Sequence, residues 1–270
     1  MSVLRVTDRP DWVACLDTPT AAPAWPRVLA GRGGGPRLTP ARIPTSLPTK
    51  DQDSGTDGPQ LPPVMEAVVR AALAGAAAAL ILLEDELNLL DSGAGDGDCG
   101  STLAGGARAL QAALPGLTFS RPLQLLAELA ALAEQMGGSS GGLYSLLFTA
   151  AGRAFARRAG GTVEKADWVS GLELGLAAVC EYGGAGPGDR TMLDALQPAL
   201  LALQAGLPRL EPAALQEAAA AARAGAVATR GMKARAGRAS YVAAEKVTQE
   251  DPGAVAAAAW ISAVIKAVSE

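Results

Sequence analysis

The chain has 270 residues, of which 49% are hydrophobic but only 4% are aromatic. Its apolar surface therefore comes mainly from Ala, Leu and Val, and because alanine and leucine are strong helix formers, the composition predicts an all-α protein. The formal net charge of −4 and the pI of about 5.1 argue against a general nucleic-acid binder. The absence of histidine excludes histidine bases, histidine triads and histidine metal ligands within this chain.

The cysteines and the apolar runs indicate a reducing compartment and no membrane span. Cys15, Cys99 and Cys180 form no CxxC motif, which argues against a disulfide framework or a zinc knuckle. The N-terminus lacks the apolar core of a signal peptide. The longest apolar run, Ala71–Leu83, has thirteen residues, whereas a membrane span needs about 20. We therefore expect a cytosolic (cytoplasmic) protein without a membrane or nucleic-acid partner.

The chain divides at about residue 62. Residues 1–62 hold ten of the 18 prolines as well as the strings GRGGG and KDQDSGTDG, so we expect a mostly disordered extension there. Residues 63–270 form the predicted helical domain, with helices over 64–79 extended to 90, 101–114, 120–136, 140–159, 163–183, 190–204, 211–232 and 252–268. Eight helices joined by short Gly/Pro loops predict an antiparallel helical bundle or barrel.

The string DSGAGDGDCGST at 91–102 carries three aspartates and four glycines without a lysine or arginine. It contains the spelling GxGxxG, but a predicted helix precedes it where a dinucleotide-binding loop needs a strand. Asp96 and Asp98 point to one side in extended backbone, and the glycines allow the loop to fold back towards Asp91. Converging carboxylates repel one another without a cation, which favours Mg²⁺ beside a phosphate at the following helix start. The alternative is a solvated acidic turn with Ser101 as helix cap.

Two further loops have both a functional and a plain interpretation. In MGGSSGGLY, Ser139 and Ser140 open a helix and form either an anion or ribose site or an ordinary serine cap. In GPGDRTMLDAL, Asp189 is the expected helix cap. Arg190 in the first turn opposes the helix dipole, which indicates a partner anion or carboxylate. Met192 is compatible with the core or with a soft wall against a flat ring.

The C-terminal part contains the densest basic cluster and a well-marked last helix. TRGMKARAGRASYVAAEKV at 229–247 either balances a nucleotide triphosphate or is a solvated basic loop; its cations are Arg230, Lys233, Arg235 and Arg238. In EDPGAVAAAAW, Asp251 is the expected cap and Pro252 the first residue of the last helix.

Together and in this order, these five motifs resemble the nucleotide-binding (DhaL-type) domain of dihydroxyacetone kinases. The strings that carry the resemblance are LNLLDSGAGDGDCGST, MGGSSGGLY, YGGAGPGDRTMLDAL, GRASYVAAEKV and DPGAVAAAA. They span roughly 63–268. The string LDTPTAAPAWP at 16–26 resembles the tail of the family's substrate domain, so residues 1–62 look like a remnant of that domain followed by a linker.

The resemblance implies an eight-helix antiparallel barrel that binds ATP and Mg²⁺ at one end. The metal ligands it implies are Asp91, Asp96 and Asp98. It implies that Arg238 faces the phosphates and assists catalysis. The implied nucleotide contacts are Asp96, Gly97, Asp98, Cys99, Gly100, Ser101, Thr102, Ser139, Ser140, Gly183, Thr191, Met192, Arg238, Asp251, Pro252 and Gly253.

The same resemblance implies two activities. One is phosphoryl transfer from ATP to dihydroxyacetone or glyceraldehyde; the other is cleavage of FAD to AMP and cyclic FMN, with Mg²⁺ or Mn²⁺. It also implies a homodimer in full-length family members. Hydroxyacetone substrates in the family attach to a histidine of the substrate domain, and this chain has no histidine. We therefore expect little kinase activity from the chain alone. The alternative is a catalytically incomplete nucleotide-binding module or dimer partner.

Overall fold

The computed structural model describes residues 58–156 and 161–269, and the expectation for residues 1–57 lies outside this part. The described residues contain no strand, so the all-α prediction is confirmed. Their α-helices are α1 Pro63–Leu82, α2 Glu84–Ser92, α3 Cys99–Ala113, α4 Pro122–Gln135, α5 Gly138–Ala156, α6 Lys165–Gly183, α7 Leu193–Ala205, α8 Pro212–Ala228 and α9 Pro252–Ser269.

Proline and glycine set many of the helix boundaries. Prolines occupy the first position of α1, α4, α8 and α9, where the missing N–H costs no hydrogen bond and the fixed φ suits a helix. At the other end of a helix, Gly184 closes α6 in the left-handed conformation, with φ 69°. The predicted boundaries consequently lie within a few residues of the observed ones for most helices.

Two predicted helices break or end earlier than expected. The first, expected to run on to residue 90, breaks at Leu83 into α1 and α2. Apolar residues continue across the break, so periodicity gives no sign of it. The seventh, expected over 211–232, ends at Ala228 and continues as the 3-10 turn Thr229–Gly231. Of the predicted helix 140–159, the part beyond residue 156 lies outside the described residues.

The helices close into a ring when α1 and α2 are counted as one kinked element. Each helix packs against its sequence neighbour, and α9 packs against both α8 and α1. Alanines and glycines permit close approach on the α7–α8–α9 side: a Cβ at Gly225 of α8 would lie 2.0 Å from the Asp194 carbonyl oxygen of α7. An apolar cavity of about 130 Å³ lies between α1, α3, α4, α5 and α9. This arrangement is the antiparallel barrel expected from the sequence.

The connections between the helices lie at two opposite ends of the barrel. In an antiparallel bundle every second connection returns to the same end, so the α2–α3, α4–α5, α6–α7 and α8–α9 connections share one end. Leu61 belongs to the opposite end: it is 4% exposed, and its N–H donates to the Ser120 carbonyl in the α3–α4 connection at 2.9 Å. The packed part of the chain thus already includes Leu61, just before the boundary expected at Pro63.

By length and composition, α1 and α9 are both apolar enough to cross a membrane. The two helices pack against each other in the bundle. Core helices of soluble proteins meet the same criteria, so the finding alone does not indicate a membrane protein.

Candidate functional site

The α2–α3 connection brings the three predicted metal ligands together. Carboxylate oxygens of Asp91, Asp96 and Asp98 all lie within 4.8 Å of one another. Asp91 stands in the last turn of α2, and its Oδ2 accepts the N–H groups of Gly97 at 2.9 Å, Asp98 at 3.1 Å and Cys99 at 3.3 Å. These three bonds fold the loop back onto α2, as the sequence predicted.

Glycine is required at two positions of this acid loop (residues 91–99). A Cβ at Gly95 would lie 2.2 Å from Asp91 Oδ1, so a larger residue would displace the carboxylate. Gly97 has φ +77°, a conformation that other residues rarely adopt. The glycines are thus needed for the close approach of the carboxylates, and not for a general flexibility of the loop.

The start of α3 is held by a residue that the sequence analysis missed. Asn88 Oδ1 accepts the N–H of Ser101 at 3.0 Å, and Asn88 Nδ2 donates to the Ser101 hydroxyl at 3.0 Å. The interpretation of Ser101 as helix cap is therefore wrong: α3 begins at Cys99, and Asp98 stands before it without a side-chain cap bond. The available signal was the polar face of α2 formed by Asn88, Asp91 and Ser92 at helical spacing.

Arg238 of the α8–α9 connection contacts the acid loop by an ion pair with Asp96. Its hydrogen bond lowers the pKa of Asp96. The pKa of Asp98 is raised, first by its hydrogen bond with Asp96, then by partial desolvation and the negative charge of Asp96. The cluster therefore attracts positive charge, and Arg238 shows that a cationic group reaches it from another connection.

Cys99, the last residue of the acid loop, carries a neutral thiol that interacts with Asp251 before α9. Burial, followed by the negative charges of Asp91, Asp251 and Asp98, raises its pKa to about 12. A thiol in this state is a poor metal ligand and a poor nucleophile. The influence of Asp251 on Cys99 also shows that the α8–α9 connection lies close to the acid loop.

The α6–α7 connection differs from its prediction at the helix start. Helix α7 begins only at Leu193, so Arg190 and Thr191 precede it, and Asp189 is not its cap. Asp189 instead accepts the Gly186 N–H at 2.8 Å. Asp194, in the first turn of α7, accepts N–H bonds from Gly188 at 2.5 Å and Thr191 at 2.8 Å, and the residue before α7, Met192, makes no side-chain cap bond. The left-handed backbone of Arg190, with φ 65°, keeps the helix from starting earlier.

The carboxylate partner predicted for Arg190 is present, and so is the predicted cap of α9. Arg190 Nη1 lies 3.4 Å from Asp251 Oδ1, while Asp251 Oδ2 accepts the Ala254 N–H at 2.9 Å. Pro252 is the first residue of α9. A Cβ on Gly253 would come within 3.8 Å of the Met192 nitrogen. The Thr191–Met192 and Asp251–Gly253 segments are therefore neighbours.

The remaining predicted contacts lie at the same end of the barrel. Ser139 and Ser140 stand in the first turn of α5, after the left-handed Gly137. Gly183 is the last residue of α6, and a Cβ there would lie 2.9 Å from Leu143 Cδ2 in the second turn of α5. In the basic cluster, Arg230 pairs with Glu250 at 3.2 Å and Arg235 with Asp189 at 3.9 Å.

An all-α antiparallel barrel with an acidic, glycine-rich connection at one end defines the class of this protein. The sequence model described as the DAK2 domain matches residues 93–266, and the chain belongs to this family. It is 40% identical over 97% of its length to human triokinase/FMN cyclase and 43% identical over 77% of its length to dihydroxyacetone kinase of Citrobacter freundii. It covers 44% and 36% of these two relatives.

A solved structure shows the same architecture with a ligand. The crystal structure of the C. freundii dihydroxyacetone kinase in complex with AMP-PNP and Mg²⁺ aligns with a TM-score of 0.60 and 32% identity, over 97% of this chain and 42% of that one. The chain thus spans less than half the length of these relatives and of this kinase.

Proposed function

We propose that this chain binds ATP together with Mg²⁺ and supplies the nucleotide-binding half of a phosphotransferase that acts on dihydroxyacetone or glyceraldehyde. The observation that carries the proposal is the convergence of the Asp91, Asp96 and Asp98 carboxylates within 4.8 Å. Hard oxygen ligands of this kind suit Mg²⁺, which binds proteins through a few carboxylates and completes its shell with phosphate oxygens and water. The named relatives and the AMP-PNP and Mg²⁺ complex support the same assignment.

Each group has a role that follows from its contacts. Asp96 and Asp98 are exposed at the edge of the loop and would hold the metal with Asp91, whose Oδ2 also fixes the loop through three N–H bonds. A bound Mg²⁺ supplies charge neutralisation for the phosphates. Arg238 reaches the same cluster from the α8–α9 connection and is the candidate for stabilising charge on the transferred phosphoryl group.

The acceptor half of the reaction must come from elsewhere. The chain contains no histidine to anchor a ketone, and orienting two reactants is worth about 7–11 kcal/mol of a reaction barrier. We therefore expect the chain alone to release ADP from ATP and dihydroxyacetone far more slowly than a full-length relative does. Comparable turnover in a coupled ADP-release assay of the two proteins would place an acceptor site on this chain.

Nucleotide titration with and without EDTA tests the proposal directly. Wild-type protein should bind ATP with Mg²⁺ and lose this binding in EDTA. Asp96→Ala should weaken Mg²⁺-dependent binding at least tenfold, about 1.4 kcal/mol. Asp85→Ala is the matched control, because Asp85 is exposed on α2 and lies outside the carboxylate cluster. Equal ATP affinity in Mg²⁺ and in EDTA would refute the metal-dependent site.

Cleavage of FAD to AMP and cyclic FMN is the second candidate activity, favoured by the similarity to triokinase/FMN cyclase over 97% of the chain. A ribityl hydroxyl would attack the neighbouring phosphorus, the bond to the AMP phosphate would break, and the hydroxyl proton would pass to solvent. Nucleophile and electrophile belong to one molecule, so no second substrate needs orienting. Incubation with FAD and Mn²⁺ should release AMP. Nucleotide binding without AMP or ADP release would instead support the incomplete binding module.

A further inference from the structure

The α6–α7 connection contains a residue in an unfavourable backbone conformation. Arg190 has φ 65°, in the left-handed region that a side chain disfavours and glycine adopts readily. The conformation is held from both sides by Asp194, whose carboxylate accepts N–H bonds from Gly188 and Thr191. Such strain persists only where the surrounding structure enforces it. A glycine would form the same turn more easily, so the turn alone does not account for an arginine here.

The side chain of Arg190 is also buried at an unfavourable site for a cation. It is 1% exposed, and its Nε has no hydrogen-bond partner among the described residues. Nη2 donates to the Gln249 carbonyl at 2.9 Å, and Nη1 donates to Asp251 at 3.4 Å. Burying a charged group with incomplete bonding is costly. Both the strain and the burial therefore point to a specific task for the guanidinium.

The guanidinium joins two connections at the candidate-site end. On one side it belongs to the segment that continues into Thr191 and Met192. On the other it holds the turn before α9, where Asp251 caps the helix through Ala254 and donates its own N–H to the buried Thr229 hydroxyl at 2.8 Å. The planar guanidinium carries several N–H donors, so one arginine side chain can donate to a carbonyl and to a carboxylate at the same time.

We propose that Arg190 is a positioning residue that fixes the spacing between the Thr191–Met192 and Asp251–Gly253 segments. These are two walls of the proposed nucleotide site, so Arg190 sets nucleotide affinity through them without touching the ligand. The inference rests on the proposed function, because it assigns those segments to nucleotide binding. It adds a residue that the sequence resemblance does not place among the nucleotide contacts.

Three variants separate positioning from general stability. Arg190→Gly relieves the left-handed backbone and removes the guanidinium, whereas Arg190→Lys keeps a positive charge but cannot reach both acceptors. Leu176→Ala is the control for destabilisation, because Leu176 is buried in α6 with 1% exposure and lies outside the loops. The readouts are the Kd for AMP-PNP with Mg²⁺ by calorimetry and amide hydrogen exchange of the nucleotide-free proteins.

We expect Arg190→Gly to weaken AMP-PNP binding at least tenfold and Arg190→Lys to weaken it less. Exchange should rise in residues 186–194 and 249–254 together, with little change elsewhere. Leu176→Ala should lower the Tm while its Kd stays within about threefold of wild type. If Arg190→Gly does not fold, the Kd for AMP-PNP and the hydrogen exchange of Arg190→Lys test the positioning role instead.

Wild-type affinity in both Arg190 variants, or a rise in exchange spread over the chain as in Leu176→Ala, would overturn the positioning role. The test also distinguishes this inference from the function it rests on. If wild-type protein binds no AMP-PNP with Mg²⁺, the proposed function fails. The exchange of 186–194 and 249–254 in nucleotide-free protein then still decides whether Arg190 couples the two segments.

Discussion

Asp251 should make the stability of the fold depend on pH in a direction opposite to most carboxylates. Its side chain is 14% exposed, and burial raises its pKa from the ordinary 3.8 to about 6. The charged and titratable groups that act on it or respond to it are Arg190, Asp194, Cys99 and Tyr144. Among these, Arg190 favours the carboxylate form and the negative charge of Asp194 opposes it.

The sign follows from proton binding. The folded carboxyl binds its proton more tightly than the unfolded chain does, so its contribution to stability is fully present below pH 3.8 and is lost as the pH rises towards about 6. A pKa difference of about two pH units corresponds to about 3 kcal/mol. Replacing Asp251 with Asn removes this dependence but keeps an oxygen that can accept the Ala254 N–H.

Urea unfolding of wild type and Asp251→Asn at intervals from pH 4 to pH 7.5 measures the effect. The free energy of unfolding of the variant minus that of wild type should increase by about 2.4 kcal/mol between pH 4 and pH 7, then level off. The attraction between Arg190 and the ionised Asp251 already contributes to the folded-state pKa. The contact between Arg190 and the neutral side chain of the Asp251→Asn variant adds only an offset that does not change with pH, because the guanidinium stays protonated. Other carboxyls are common to both proteins and largely cancel. A difference that is constant with pH, or that decreases, would refute the reasoning.

Two further predictions concern packing. Gly100→Ala should destabilise the fold by about 3 kcal/mol, because its Cβ would lie 1.9 Å from the Glu84 carbonyl oxygen. Gly106→Ala should cost under about 1 kcal/mol, since the three nearest atoms, led by Sδ at 2.0 Å, all belong to the flexible Met136 side chain and none to the backbone; equal thermal shifts would contradict this. Deletion of residues 1–57 should leave the Tm unchanged, whereas deletion of 1–62 should lower it, because Leu61 is 4% exposed; equal Tm values for both deletions would contradict this.

The sequence predicted the fold and the convergence of the acid loop from signals that act locally. Prolines and glycines mark the helix ends, and glycines next to Asp96 and Asp98 allow the turn towards Asp91. The capping assignment of Asp189 at the α6–α7 connection failed for a physical reason: the left-handed Arg190 delays the helix start to Leu193. A positive φ at a residue other than glycine depends on tertiary contacts, which local propensity does not contain.

Asn88 illustrates a second limit. Its two bonds to Ser101 connect the interior of α2 with the first turn of α3, and the sequence shows only an asparagine inside a helical segment. Asparagine is a weak helix former because it bonds to nearby backbone groups. That preference is a reason to look for a partner beyond the helix end, but the identity of the partner depends on how α2 and α3 pack.

The antiparallel topology explains why residues far apart in the chain meet at one end of the barrel. Each second connection returns to that end, and the alanine-rich helices between them form a closely packed frame. Across the connections, arginines oppose acids: Arg238 pairs with Asp96, and Arg190 pairs with Asp251. The charge on the candidate site is therefore shared among the acid loop and the α6–α7 and α8–α9 connections. Three of the loop motifs taken singly are compatible with a plain turn or a solvated basic loop, whereas their placement at one end supports a single site with balanced charge.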